Sequence, residues 1–120
     1  MKTSIESKVP LSESTYLILL SLAPGPRHGY AIMKDVATLS GDRVQLSTGT
    51  LYGALKRLLS EGYIRRVEKD PSSEPDAERS GRRRKTYVLT DLGRKLLEAE
   101  VTRLQSLVVA ANLRILERPA

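Results

Sequence analysis

The chain has no cysteine, no phenylalanine and no tryptophan. Without cysteine there is no disulfide, no thiolate metal site and no cysteine nucleophile, which suits a reducing compartment. Without Phe or Trp the large apolar side chains are mainly Leu, Ile and Val, joined by five Tyr. Few aromatic groups are left to line a cofactor pocket or to stack a flat ligand. Histidine occurs once, at His28, with no nucleophile signature beside it. Paired carboxylates in a catalytic motif, a Gly-rich phosphate loop and metal ligands at the usual spacings are also missing. Neither an enzyme nor a metal or cofactor site is therefore expected. Long apolar runs are missing too. The longest, Tyr16 to Leu20, is five residues, against about 20 for a membrane span. The opening MKTSIESKVP has no apolar stretch of the secretory kind. The expectation is a cytoplasmic protein that engages no membrane.

What is present is positive charge. Lys and Arg number 20 against 14 Asp and Glu, for a net charge of +6 and a pI near 9.8. Such a balance favours a polyanionic partner, and the placement of the charge decides how much weight it carries. At 120 residues the chain fits one domain. A core this small often leans on a partner subunit. The 40% of hydrophobic residues sets the whole apart from disordered chains.

Residues 1–10 read as a loose, flexible arm. Ser12 is a reasonable N-cap for a first helix, with Leu11 and Tyr16 at the two positions of a hydrophobic staple. The helix is apolar nearly all round, which predicts burial on more than one side. Pro24-Gly25-Pro26 ends it. A second helix is expected from about His28 to Leu39, with Ile32, Met33, Val36 and Leu39 at helical spacing and Ser40-Gly41-Asp42 as its stop. A hydrogen bond at this helix's start is the role expected of His28. Arg43 to Leu46 is too short to be more than a connector.

STGTLYGALKRLLSEGYI, Ser47 to Ile64, reads as a short helix with a deliberate start and stop. Ser47 can cap the amide of residue 49 or 50. Leu51, Leu55, Leu58 and Leu59 make one apolar stripe, and Gly62 stands just past the end. The other face carries Thr48, Thr50, Tyr52, Gly53, Lys56 and Arg57. Hydroxyls, an aromatic ring and cations suit phosphates and base edges, and Gly53 permits close approach. Tyr63 to Lys69 reads as a strand and Thr86 to Leu89 as a second. Between them lies a long tip, acidic through Asp76 and Glu78, then basic through Arg82, Arg83, Arg84 and Lys85. Four adjacent cations repel one another unless an anion meets them. Thr90 caps a last helix running to about Glu117. In it Leu97, Val101, Leu104, Val108, Ala111 and Ile115 are spaced as a heptad seam of about three repeats. An apolar surface of this kind calls for a second copy of the chain, with Leu11 and Tyr16 of the first helix joining it.

Helix, helix, turn, helix and hairpin is the winged helix-turn-helix order, in which the third helix enters the major groove. The fold expected is mainly α with a small β-hairpin. It divides into an arm (1–10), a winged helix-turn-helix domain (11–89, wing about 63–89) and a C-terminal dimerisation helix (90–120).

HGYAIMKDV (His28 to Val36), STGTLYGALKRLLSEGYI and RRKTYVLTDLGRKLLEAE (Arg83 to Glu100) resemble the PadR-type transcriptional regulators over roughly residues 11–100. The resemblance implies a homodimeric winged-helix protein, usually a repressor, on a pseudopalindromic operator. Many members release DNA when a small aromatic or amphipathic molecule binds. It implies DNA contacts at Ser47, Thr48, Thr50, Tyr52 and Lys56, a backbone contact from Tyr30, and wing contacts from Arg84 and Lys85. The acidic first half of the wing tip departs from the family pattern, and the single short last helix matches the subgroup without a larger C-terminal domain.

The function expected is therefore sequence-specific binding to double-stranded DNA at an inverted-repeat operator. The main rival is a winged-helix protein-interaction adaptor without specific DNA binding, which leaves the basic wing and Thr50, Tyr52 and Lys56 without a use. Double-stranded RNA is disfavoured because its deep, narrow major groove excludes the third helix.

Overall fold

The computed structural model describes residues 5–67, 85–117 and 119. Its elements run in the order α1 (Glu13–Leu22), β1 (Arg27–His28), α2 (Gly29–Leu39), α3 (Thr48–Ser60), β2 (Ile64–Val67), β3 (Thr86–Leu89) and α4 (Asp91–Leu116), preceded by a single 3₁₀ turn at Glu6–Lys8.

Each main helix starts or stops where a specific side chain or backbone geometry requires it. Ser12 caps α1 by accepting from the Thr15 amide at 3.2 Å, and Thr90 caps α4 by accepting from the Gly93 amide at 3.0 Å. The ends of α2 and α3 use one device. Gly41 (φ 62°) and Gly62 (φ 82°) take the left-handed conformation. Each glycine's amide bonds back three residues, to Thr38 and Leu59, and the following amide bonds back five, to Ala37 and Leu58. That double closure satisfies carbonyls the helix would leave open, and glycine adopts it without a Cβ clash.

The core is one cluster. Leu17, Ile18, Leu19 and Leu22 of α1 meet Ile32 and Val36 of α2, Leu51, Leu55 and Leu58 of α3, and Leu96 and Leu97 of α4. Tyr63, Ile64 and Tyr87 close the cluster from the sheet side. Helix α1 lies at the centre, buried on more than one side as its all-round apolar pattern predicts. Each fully buried Leu or Ile contributes about 1.5–3 kcal/mol.

Three features differ from the sequence reading. The expected hairpin is a three-stranded antiparallel sheet in the order β1-β3-β2. Arg27 and His28 pair with Tyr87 and Thr86, and a two-residue strand has no periodicity by which to be seen. His28 makes no side-chain cap on α2; its Nδ1 lies 2.9 Å from the Thr86 hydroxyl, tying β1 to β3. The arm is docked from Ile5 onward. Ile5 and Val9 pack against the core, the 3₁₀ turn rests on α4, and the Leu11 amide donates to buried Glu100 at 2.6 Å.

The heptad seam divides along α4. Leu97 is only 5% exposed and belongs to the core of its own chain, and Val101 packs against that core. Leu104 is half-buried, while Val108, Ala111 and Ile115 are exposed. Twenty-six residues make a helix of about 39 Å, which outruns the body it rests on. At its start α4 sits tightly against the sheet. A Cβ on Gly93 would fall 2.0 Å from the Tyr63 carbonyl oxygen.

Candidate nucleic-acid interface

The N-terminal turn of α3 is exposed and its hydroxyls are arranged. Ser47 Oγ accepts from the Thr50 amide at 3.1 Å and donates to Thr50 Oγ1 at 2.9 Å. The Ser47 proton is thereby spent inside the turn, and the Thr50 proton is free for an outside acceptor. Thr48, Gly49, Thr50, Gly53 and Lys56 are exposed around it. A Cβ built on Gly49 or Gly53 would meet nothing within 4 Å. Gly49, Gly53 and Lys56 fall at i, i+4 and i+7, a smooth strip ending in a cation. Gly49 carries no charge or hydrogen-bonding side chain, so the sequence reading did not single it out.

Arg57 lies about 20° around the helix from Thr50, but its guanidinium is drawn to partners within the chain. It donates to Thr15 Oγ1 at 2.9 Å and approaches Glu61 Oε1 at 3.8 Å, fastening α3 to α1. One helical step, about 100°, separates it from Lys56.

Tyr52 is 41% exposed, and its phenol end rests on α2. A Cβ on Gly29 would come within 2.6 Å of its hydroxyl. Beside Gly29, Tyr30 is 69% exposed, with Lys34 Nζ 5.4 Å from its ring centroid, within cation–π range. Tyr30 and Tyr52, far apart in sequence, therefore both lie at the start of α2, the Tyr52 hydroxyl beside Gly29. Lys34 joins them, a cation whose place the spacing alone left unremarked.

The wing supplies more charge. Lys85 is exposed at the head of β3, and Arg65 and Arg66 are exposed on β2. The IRRV segment shows both arginines plainly, but the sequence reading gave its attention to the denser run that follows. Arg82, Arg83 and Arg84 lie outside the described residues. Buried Tyr87 is neighboured by Tyr52 and Arg66. Its phenol is pushed up from the ordinary value, chiefly by burial and then by Tyr52, while Arg66 pulls it down.

The remaining predicted residues sit away from this face. Leu11 and Tyr16 are half-buried against the core near α4. No group of three or more His, Asp or Glu among the described residues could hold a metal ion, and no described helix is long and apolar enough to cross a membrane.

A sequence profile described as the transcriptional regulator PadR-like family matches residues 18–99. The chain belongs to that family. Its helices and small sheet superpose on a PadR family transcription regulator from Clostridium difficile R20291 with a TM-score of 0.67 and 29% identity, covering 87% of this chain and 99% of that one. A Bacillus subtilis PadR in complex with operator DNA matches with a TM-score of 0.55 and 27% identity over 70% of this chain and 44% of that one. An uncharacterised 37.1 kDa protein in transposon TN4556 of Streptomyces fradiae is 38% identical over 89 residues, 74% of this chain. The chain spans 22% of that protein's length. In this fold the exposed turn of α3 belongs to the third helix, and Arg65, Arg66 and Lys85 belong to the wing strands and their edge.

Proposed function

We propose that this PadR-family chain binds double-stranded DNA sequence-specifically, as a homodimer on a pseudopalindromic operator, and acts as a repressor. The observation that carries the reading is the exposed N-terminal turn of α3. Thr50 with an uncommitted hydroxyl proton, two open glycines and Lys56 stand on one surface, flanked by Arg65, Arg66 and Lys85. Thr48, Thr50 and Lys56 are the candidates for base-edge and phosphate contacts, and Ser47 holds the turn in shape. Tyr30 and Lys85 reach the backbone on either side, joined by Arg82, Arg83 and Arg84 of the wing. Tyr52 contributes an exposed ring edge while its hydroxyl rests on α2.

Dimerisation falls to the far half of α4. Leu107, Val108, Val109, Leu113, Ile115 and Leu116 are all exposed there, and a second α4 is the cover that symmetry supplies most simply. Two α3 helices related by a dyad reach successive major grooves about 34 Å apart. A small aromatic or amphipathic effector lodged between α1 and α4, near Tyr16, would alter that separation, provided it binds the two arrangements with different affinity.

Fluorescence anisotropy over a salt series tests the reading, with DNA from upstream of the protein's own gene beside random duplex. Specific binding about a thousandfold tighter than random is expected. Equal, steeply salt-dependent binding to both would reduce the function to phosphate attraction and favour the adaptor reading.

A further inference from the structure

Polar bonds from α4, from α3 and from the connector before α3 converge on the N-terminal end of α1. Leu11 donates its amide to Oε2 of Glu100 on α4 at 2.6 Å, and Glu100 is buried. One residue on, Ser12 caps α1, and its hydroxyl donates to Thr15 Oγ1 at 2.9 Å. The Thr15 oxygen takes a second bond, from Nη2 of Arg57 on α3, also at 2.9 Å, and Thr15 too is buried. Between these two links, Glu13 pairs with Arg43, in the connector that leads into α3. Five residues, Leu11 to Thr15, thus tie the proposed dimer helix to the proposed reading head. Arg57 is the unexpected member. It stands nearly in line with Thr50 around α3, on the side that meets DNA in the reading above, yet it reaches back to Thr15 and towards Glu61.

We propose that Arg57 and Thr15 are positioning residues that fix the tilt of α3 relative to α4, and so set how strictly the dimer demands one spacing between its half-sites. This rests on the dimeric DNA-binding reading above and adds to it a determinant of specificity that touches no DNA. In a dimer held by α4, the two α3 helices keep their separation only as well as each is fastened to its own α4. The apolar core holds the helices together without preferring a direction. A hydrogen bond weakens steeply as its angle departs from linear, so the Arg57–Thr15 bond resists a roll of α3. One inserted base pair moves a half-site by about 3.4 Å and turns it by about 35°. Loosely held reading heads can follow such a shift, and fastened ones cannot.

The test starts from an operator that the wild type selects from a pool of random duplexes. Versions with one base pair added or removed between the half-sites are then made, and affinities are read by anisotropy over a salt series. The wild type should bind the shifted versions about tenfold more weakly, on the scale of a mismatched base pair. In Thr15→Val and Arg57→Gln that penalty should shrink to about threefold. A loss of fold stability alone would not produce this change, because it lowers binding to every spacing alike. Arg57→Gln should also keep the wild-type salt slope, since a brace neutralises no phosphate. Lys56→Gln is the contrast: it should flatten the slope by about one unit and keep the spacing penalty. An undiminished penalty in Thr15→Val and Arg57→Gln, or a wild type indifferent to spacing, would overturn this proposal and leave DNA binding standing. A flattened slope in Arg57→Gln would overturn it too, by making Arg57 a phosphate contact. A selection that returns no inverted repeat would bring down the dimeric operator reading together with the proposal.

Discussion

Gly53 and Gly93 show how one residue type can serve opposite ends. Gly53 lies inside α3 with open space where a Cβ would go. Alanine there should raise stability by roughly 0.5–1 kcal/mol, because glycine in a helix interior gives up more chain entropy. The same methyl would stand on the proposed DNA face, so Gly53→Ala should melt higher and bind operator DNA more weakly. A variant that melts higher and binds as before would move the contact away from Gly53. Gly93 is the reverse case. Its Cβ would collide with the Tyr63 carbonyl oxygen at 2.0 Å and approach Leu89 Cδ1 at 2.9 Å. Both the start of α4 and the entrance to β2 would have to shift, and Gly93→Ala should lose about 3 kcal/mol in denaturant titration. The two glycines are indistinguishable by local pattern, since each sits inside a helical run. What separates them is a carbonyl thirty residues away in the chain.

At the scale of elements, caps and clasps hold the helices at their angles. Ser47→Ala removes the bond to the Thr50 amide and should cost about 1 kcal/mol in a melt. It should also loosen operator binding, because Thr50 Oγ1 loses the neighbour that orients it. Buried Glu100 joins the N-terminal segment to α4. The Arg103 guanidinium first, and the Leu11 amide after it, hold its carboxyl below the usual carboxylate range against the opposing effect of burial. A carboxyl depressed in the folded state contributes stability that is complete above its unfolded value, about 4.3. That contribution drains away as the pH falls through the lower, folded-state value. The wild type should therefore lose stability on acidification through this window. Glu100→Gln should be less stable at neutral pH, lose less below pH 4, and exchange its Leu11 amide faster. Parallel acid limbs for the two proteins would show that the clasp contributes nothing. Sequence pattern located α1, α2, α3 and α4 because each carries local signals of its own: a capping hydroxyl, apolar residues at helical spacing, or a glycine stop. It missed β1 because two residues, Arg27 and His28, become a strand only by pairing with Tyr87 and Thr86, nearly sixty positions on.

At the scale of the whole molecule, α4 serves two masters. Its first half, through Leu96 and Leu97, is part of the core; its second half presents Val108, Leu113 and Ile115, the last 75% exposed. Leu113→Glu is expected to leave the melt of the winged-helix body nearly unchanged, since a charge at an exposed position disturbs no core packing. Sedimentation should nonetheless show monomers, with operator affinity down by about a hundredfold or more as one half-site must bind alone. An undisturbed dimer would remove the far half of α4 from the interface. The heptad spacing could not tell these halves apart. A seam of Leu, Val and Ile looks the same whether it meets α1 of its own chain or another copy.

The sequence by itself determined the helices, their ends, the excess of positive charge and the hydroxyl-and-cation face of α3, because these depend on residues within a few turns of one another. Only the tertiary structure decided that Arg57 braces α1 while Lys56 faces outward, that Tyr52 rests its hydroxyl on Gly29, and that Arg66 stands beside Tyr87. Those outcomes depend on which distant segment arrives alongside, and close packing leaves a side chain room in one direction and not another.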